Sequence, residues 1–444
     1  MTNLIIETSK YLMILLAACY TLFNFRFFSF PDEERRNIMC ARQNQAMFLN
    51  HLLAYLIIYL KTEDVRVGAF YLAQVVFFLA YIYLYRLFYR NVSRLLVNNA
   101  CMLLSVGFIM LTRISFDRAV RQFILVVISA VITWIVPYIM ERVWQLSRGT
   151  WIYAGVGLVL LLAVFLLGDT TYGAQLSLNF GGISFQPSEF VKITFVFFLA
   201  ALFYRSTDFK TVLIAAAVTA AHVLILVAST DLGSAFLLAI TFVFMLFIAP
   251  SNWLYLGGGL AAGGLAACAA YALFPHVQTR VAAWLNPWPY IDDKGYQITQ
   301  SLFAIGSGGW FGMGLYQAMP YKNPGVEKDF IFAAVSEELG GIFALCVLLI
   351  CVGCFLQFMM TAGRFQAVFF KLISFGLGVV YIIQVLLNVG GVTKFIPSTG
   401  ITLPFVSYGG SSILSTFLLF NVIQGLYIFC LLYTSPSPRD TERS

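Results

Sequence analysis

Residues 280–341 read RVAAWLNPWPYIDDKGYQITQSLFAIGSGGWFGMGLYQAMPYKNPGVEKDFIFAAVSEELGG, a polar, glycine-punctuated stretch set between long apolar runs. It gathers Asp292, Asp293, Lys294, Glu327, Lys328, Asp329, Glu337 and Glu338 in a chain of 444 residues that is 60% hydrophobic and only 11% charged. A soluble domain carries roughly a quarter charged residues, and the mean hydropathy here is +0.86. Many of the apolar runs reach the roughly 20 residues a helix needs to cross a bilayer. The chain therefore reads as an integral membrane protein, and its polar stretch as a loop at one membrane face.

Outward from that loop, about thirteen spans follow from hydropathy. Three come first, at roughly 4–25, 45–61 and 67–88. Ten more lie at roughly 96–113, 118–141, 149–168, 187–205, 210–229, 231–250, 252–274, 330–361, 365–390 and 402–432. No run of alternating short strands suggests a barrel, so helices satisfy the backbone in lipid. The N-terminus lacks a basic head and a small-residue cleavage site, and reads as a retained span. Lys and Arg fall mainly in alternate loops: Arg26, Arg35, Arg36 and Arg42; Arg86, Arg90 and Arg94; Arg142 and Arg148; Arg205 and Lys210; Arg364. That side is expected to be cytoplasmic, which places loop 275–329 outside. The net charge of +7 belongs with those loops and gives no reason to expect nucleic-acid binding.

Eight cysteines and three scattered histidines form no metal-ligand spacing, and Cys351-Val-Gly-Cys354 sits inside a span as packing residues. Ionisable residues near the outer ends of spans are more telling, because each costs several kcal/mol in lipid unless paired or wetted. Glu189 and Lys192 stand three apart in FQPSEFVK, on one side of a helix start. Asp231 opens another span, Glu338 lies early in the span after the large loop, and Lys394 ends the penultimate one. These groups either pin helix packing as pairs or converge on a site.

Seven ordered blocks carry a resemblance: Phe185-Gln-Pro-Ser-Glu-Phe-Val-Lys192, Asp231-Leu-Gly-Ser-Ala235, Gly295-Tyr-Gln-Ile-Thr-Gln-Ser301, Ala304-Ile-Gly-Ser-Gly-Gly309, Asp329-Phe-Ile-Phe332, Glu337-Glu-Leu-Gly340 and Pro404-Phe-Val-Ser-Tyr-Gly-Gly-Ser-Ser412. Over about residues 96–429 the chain resembles the SEDS family (shape, elongation, division and sporulation) of FtsW- and RodA-like proteins. The resemblance implies an all-α polytopic membrane protein with a ten-helix core, here preceded by about three additional helices in 1–95. It implies a bacterial cytoplasmic membrane enzyme that polymerises lipid II into peptidoglycan strands by inverting glycosyl transfer at the outer face. It also implies a class B penicillin-binding protein as partner.

Such a reaction needs a carboxylate base and positive charge near the departing diphosphate. The family's pattern puts an acidic catalytic residue six positions before the Tyr of the G-Y-Q block, where this chain has Tyr290. Asp292 and Asp293 are the nearby carboxylates expected to serve instead. Arg280 is expected to bind the lipid-linked diphosphate, with Glu189, Lys192, Asp231 and Glu338 as a supporting charged network. Lys394 is a further candidate contact, because Thr399 stands where some members carry Lys. A divalent cation, magnesium or manganese, is a candidate source of additional positive charge. Two other readings stay open: a flippase for the lipid-linked precursor, and a catalytically inactive scaffold. The last residues, 430–444, resemble translated sequencing-adapter sequence or a disordered tail, and carry no functional expectation.

Overall fold

The structure, a computed structural model, describes residues 2–142, 144–171, 174–180 and 183–434. Seventeen α-helices are present among them, and the expected thirteen passages can be traced through the bundle. Three long helices come first: α1 (Thr2–Ser29), α2 (Glu33–Thr62) and α3 (Val65–Phe88). The second is much longer than its apolar run suggests; its 30 residues give about 45 Å at 1.5 Å per residue. Its polar side chains, among them Gln43, Asn50 and His51, are buried against neighbours rather than exposed to lipid.

The core begins with α4 (Arg94–Ile114), whose apolar window is entirely buried at the centre of the bundle. The next passage is broken into α5 (Phe116–Thr133) and α6 (Val136–Arg142), where Pro137 cannot donate to the helix ladder. After α7 (Thr150–Leu167) comes a departure from the all-helical expectation. Strands β1 (Asp169–Thr171), β2 (Ala174–Phe180) and β3 (Ile183–Phe185) form an antiparallel meander in the order β1-β2-β3. Only the seven residues of AQLSLNF alternate for long enough to read as a strand, which is too short to stand out in a span-based reading.

Four more helices follow: α8 (Ser188–Arg205), α9 (Phe209–Ala228), α10 (Leu232–Ile248) and α11 (Trp253–Leu273). The large loop is partly helical, with α12 (Pro275–Leu285) and α13 (Tyr296–Gly308). The span expected at 330–361 is divided into α14 (Ile331–Leu339) and α15 (Gly341–Arg364). Its break is Gly340, at φ +95°, a conformation open to glycine and strained for other residues. The chain 309–314 fills the gap, donating from Met313 N to Glu337 O (2.9 Å) and from Gly314 N to Glu338 O (2.8 Å). Finally α16 (Val368–Val392) and α17 (Gly410–Thr434) close the bundle. The last span starts later than its apolar run, because 402–409 is irregular backbone. Of the tail, residues 435–444 lie outside the described residues.

Ten helical stretches are long and apolar enough to cross a membrane by length and composition. The remaining passages, α2, α8 and α10, are more polar or shorter; α8 is almost wholly enclosed among α7, α10, α16 and α17. The result is a multi-pass membrane protein whose polar loop, hairpin and helix starts meet at one end of the bundle.

Candidate active site

The start of α8 supplies the first part of the site. Pro187 precedes the helix, and Glu189 in its first turn meets the positive end of the helix dipole. One turn on, Lys192 is buried and donates to Glu189 Oε2 at 2.5 Å and to Gln384 Oε1 of α16 at 2.7 Å. Ser415 of α17 adds a second donor to the same carboxylate oxygen at 2.8 Å. One Glu189 oxygen thus accepts from both a lysine and a hydroxyl, while Gln384 ties the cluster to Thr402 O at 3.1 Å.

The tight turn between α9 and α10 brings Asp231, whose Oδ1 accepts from Ser234 N at 3.1 Å and caps α10. From the large loop, α12 brings Arg280, whose Nη1 donates to Ser398 O at 3.2 Å. These elements surround a cavity of about 70 Å³ lined by Glu189, Lys192, Asp231, Arg280, Gln384 and residues 399–402. Glu189 and Lys192 satisfy one another. Among the described residues Arg280 has no carboxylate within ion-pair distance. Burial pulls its guanidinium below its ordinary range, opposed by the charges of Asp231 and Asp329. Thr399 Oγ1, on the same wall, is buried without a hydrogen-bond partner. A half-buried cation beside an unsatisfied hydroxyl suits an anionic ligand group. The hollow has room for an anionic group such as a phosphate beside Arg280.

The other expected residues lie elsewhere. Asp292 and Asp293 are exposed, on a turn closed by Asp293 N and Gly295 N donating to Tyr290 O at 3.1 and 2.8 Å; neither lines the cavity. Glu338 is not brought to it either. The break at Gly340 leaves α14 facing α4, and Arg113 Nε donates to Glu338 Oε1 at 2.8 Å with the carboxylate fully buried. The same guanidinium lies over the Tyr316 ring at 4.1 Å and donates to Ala318 O at 3.1 Å. Lys394 takes the left-handed position at the end of α16 (φ 59°) and offers its carbonyl to Trp284 Nε1 at 3.1 Å; its side chain is not on the cavity wall.

Asp329 was not singled out by sequence as a site residue, although it begins the Asp-Phe-Ile-Phe block. Asn388 Nδ2 donates both to Asp329 O (2.8 Å) and to Ile401 O (2.7 Å), which places this residue just behind the cavity wall. Some of its surface still meets solvent. Burial nevertheless pushes its carboxyl up to about 6, against the pull of its own backbone amide, Lys328 and Arg280.

Residues 91–428 match the model of the FtsW/RodA/SpoVE cell cycle proteins. A peptidoglycan glycosyltransferase RodA of Mycobacterium tuberculosis is 34% identical over 303 residues, covering 63% of this chain and 64% of that protein, just under two thirds of its length. A probable peptidoglycan glycosyltransferase FtsW of Saccharophagus degradans is 32% identical over 361 residues, covering 74% of this chain and 90% of the relative. Among solved structures, a chain of a peptidoglycan synthase complex that coordinates polymerization and crosslinking superposes with TM-score 0.65 at 22% identity, covering 78% of this chain and 99% of that one. The rod shape determining protein RodA of Thermus thermophilus gives 0.57 at 22% identity, covering 76% and 96%. Both structural likenesses establish the fold, and the sequence matches establish the kinship: the chain belongs to the FtsW/RodA/SpoVE family of cell cycle proteins.

Proposed function

We propose that the chain is a peptidoglycan glycosyltransferase that polymerises lipid II, with its active end on the outer face of the bacterial cytoplasmic membrane. The observation that carries this reading is Arg280, lacking a carboxylate at ion-pair distance among the described residues, on the wall of a cavity whose other cation, Lys192, is already engaged. The names of its relatives support the same activity. In the reaction, the 4-hydroxyl oxygen of one lipid-linked sugar bonds to the anomeric carbon of another. The bond from that carbon to the diphosphate oxygen breaks with inversion, and undecaprenyl diphosphate leaves. Arg280 stabilises the charge that grows on the diphosphate, and a carboxylate takes the hydroxyl proton.

Two placements of that base are open to test. Asp292 and Asp293 occupy the loop position nearest the family's pattern, and reach the cavity only if their exposed turn swings inward. Asp329 already stands behind the wall, within the field of Arg280. Glu189 and Asp231 are the cavity carboxylates that would share a magnesium or manganese ion with substrate oxygens, since such ions take one or two carboxylates plus phosphate. Its added charge would assist the leaving diphosphate. Among the described residues no cluster of three or more His, Cys, Asp or Glu forms a protein-only cage. A class B penicillin-binding protein is the proposed partner, in keeping with the synthase complex that the fold matches.

Purified protein given labelled lipid II in detergent tests the reading: glycan ladders are expected, and Arg280→Ala should lower kcat/KM about 100-fold. Precursor crossing liposomes without ladders would instead indicate a flippase, and neither activity a scaffold. Polymerisation lost in Asp329→Asn but kept in Asp292→Ala/Asp293→Ala assigns the base to Asp329; the reverse pattern assigns it to the exposed turn.

A further inference from the structure

The family match begins at residue 91, so α1–α3 lie outside it, yet the core is built to receive them. Between its terminal arginines, helix α4 carries four uncharged polar side chains, Asn98, Asn99, Ser105 and Thr112, all buried. Each meets a residue from the first 90. Tyr20 Oη donates to Asn99 Oδ1 at 3.0 Å, and Asn99 Nδ2 donates to Asn24 Oδ1 at 2.9 Å. Asn98 Nδ2 donates to Cys40 O at 2.9 Å. Ser105 Oγ pairs with His51 Nδ1 at 2.9 Å, and Thr112 Oγ1 with Tyr55 Oη at 2.8 Å, itself bonded by Gln74. Facing lipid, the amides of Asn98 and Asn99 would lack these partners at a cost of several kcal/mol, whereas Thr112 Oγ1 also donates to Phe108 O of its own helix at 2.7 Å.

At the cavity end, α1 reaches the chain that follows α13. Lys10, buried and paired with Glu7 at 2.6 Å, donates from Nζ to Gly312 O at 3.2 Å. Tyr11 meets Phe311 with ring centroids 5.6 Å apart, and Ile6 lies against Gly314. The opposite side of the same loop is bonded to Glu337 and Glu338, and Arg113 holds its end at Ala318.

We propose that residues 2–90 are a built-in brace: α4's polar row docks them in the membrane, and their outer end fixes loop 309–318 through Lys10, a positioning residue for the reaction. The loop is thereby gripped from α1 on one side and from α14 on the other. Its position relative to α13, and through α13 to the turn bearing Asp292 and Asp293, depends on a helix that the family core lacks.

The test uses the full chain with Lys10→Met and Lys10→Arg, read by hydrogen exchange of 309–318 and by polymerisation kinetics. Loss of one charge-assisted hydrogen bond should speed exchange in that loop about tenfold in Lys10→Met, leave α16 unchanged, and be reversed in Lys10→Arg. Only the kinetic arm rests on the polymerase reading: kcat is expected to fall about fivefold in Lys10→Met with KM little changed, and to recover in Lys10→Arg. Unchanged exchange in 309–318 overturns the brace whatever the activity. Exchange that rises alongside full kcat removes the positioning role. A wild-type protein that makes no glycan counts against the polymerase and leaves the exchange result to decide the brace.

Discussion

Asp329 and Arg280 bring the chemistry down to two side chains. The acid's folded value of about 6 lies above that of a free aspartate, so the native state holds its proton more tightly than the unfolded chain. The contribution of Asp329 to native stability is then fully present below about pH 4 and is lost as pH rises through about 6, because the charged carboxylate is the form that burial disfavours. Asp329→Asn removes that cost and should raise the neutral-pH stability of detergent-solubilised protein by about 1–3 kcal/mol, measured as an upward shift in Tm. If Asp329 is the base, polymerisation in the native protein should fall as pH drops through about 6, and the pH–rate profile of the residual activity in Asp329→Asn should lack that limb. The sequence contained the residue in a plain motif. What it could not give was the enclosure, which depends on Asn388 reaching from α16 to hold both Asp329 and Ile401.

At the scale of elements, the break between α14 and α15 does most to separate the two charged clusters. A Cβ at Gly312 would stand 2.5 Å from Glu338 O, and Gly312 itself sits at φ +75°. Gly312→Ala should therefore destabilise by about 2–4 kcal/mol, visible in a thermal scan, whereas Gly306→Ala, where a Cβ would meet nothing within 4 Å, should be near neutral. The Arg113–Glu338 pair offers a cleaner test of packing against function. Arg113→Met leaves a buried carboxylate without its partner and should cost about 3–5 kcal/mol. The double change Arg113→Met/Glu338→Leu should be milder than either single one, and a double-mutant cycle on Tm checks this. From sequence, Glu338 looked like a member of the cavity set because it shares their membrane face. Its partner lies 225 positions away, and hydropathy carries no trace of which helix a buried carboxylate will meet.

Across the whole molecule, the passages were legible because each apolar run must satisfy its backbone as a helix. Glu189, Lys192 and Asp231 were legible as candidates because ionisable groups at span ends demand a reason, Arg280 because the expected reaction needs positive charge at the diphosphate, and the structure gathers these four around one cavity. The polar length of α2, the meander at 169–185 and the split at Gly340 were not legible, since each is fixed by partners distant in sequence. Orientation is open to a direct measurement. An Asp292→Cys variant in intact cells should react with a membrane-impermeant thiol reagent without permeabilisation, if this end faces outward. Chelation gives a second whole-molecule check: EDTA should depress polymerisation and added magnesium or manganese should restore it, if Glu189 and Asp231 share an ion with substrate.

Chain growth from the N-terminus gives the polar row on α4 one last consequence. The ribosome delivers α1, α2 and α3 to the bilayer before α4 emerges. When the segment carrying Asn98, Asn99, Ser105 and Thr112 follows, the donors and acceptors its side chains pair with have already been delivered. If the proposed brace holds, residues 2–90 would also serve as a receiving template during biogenesis, seating the first core helix before the other nine arrive.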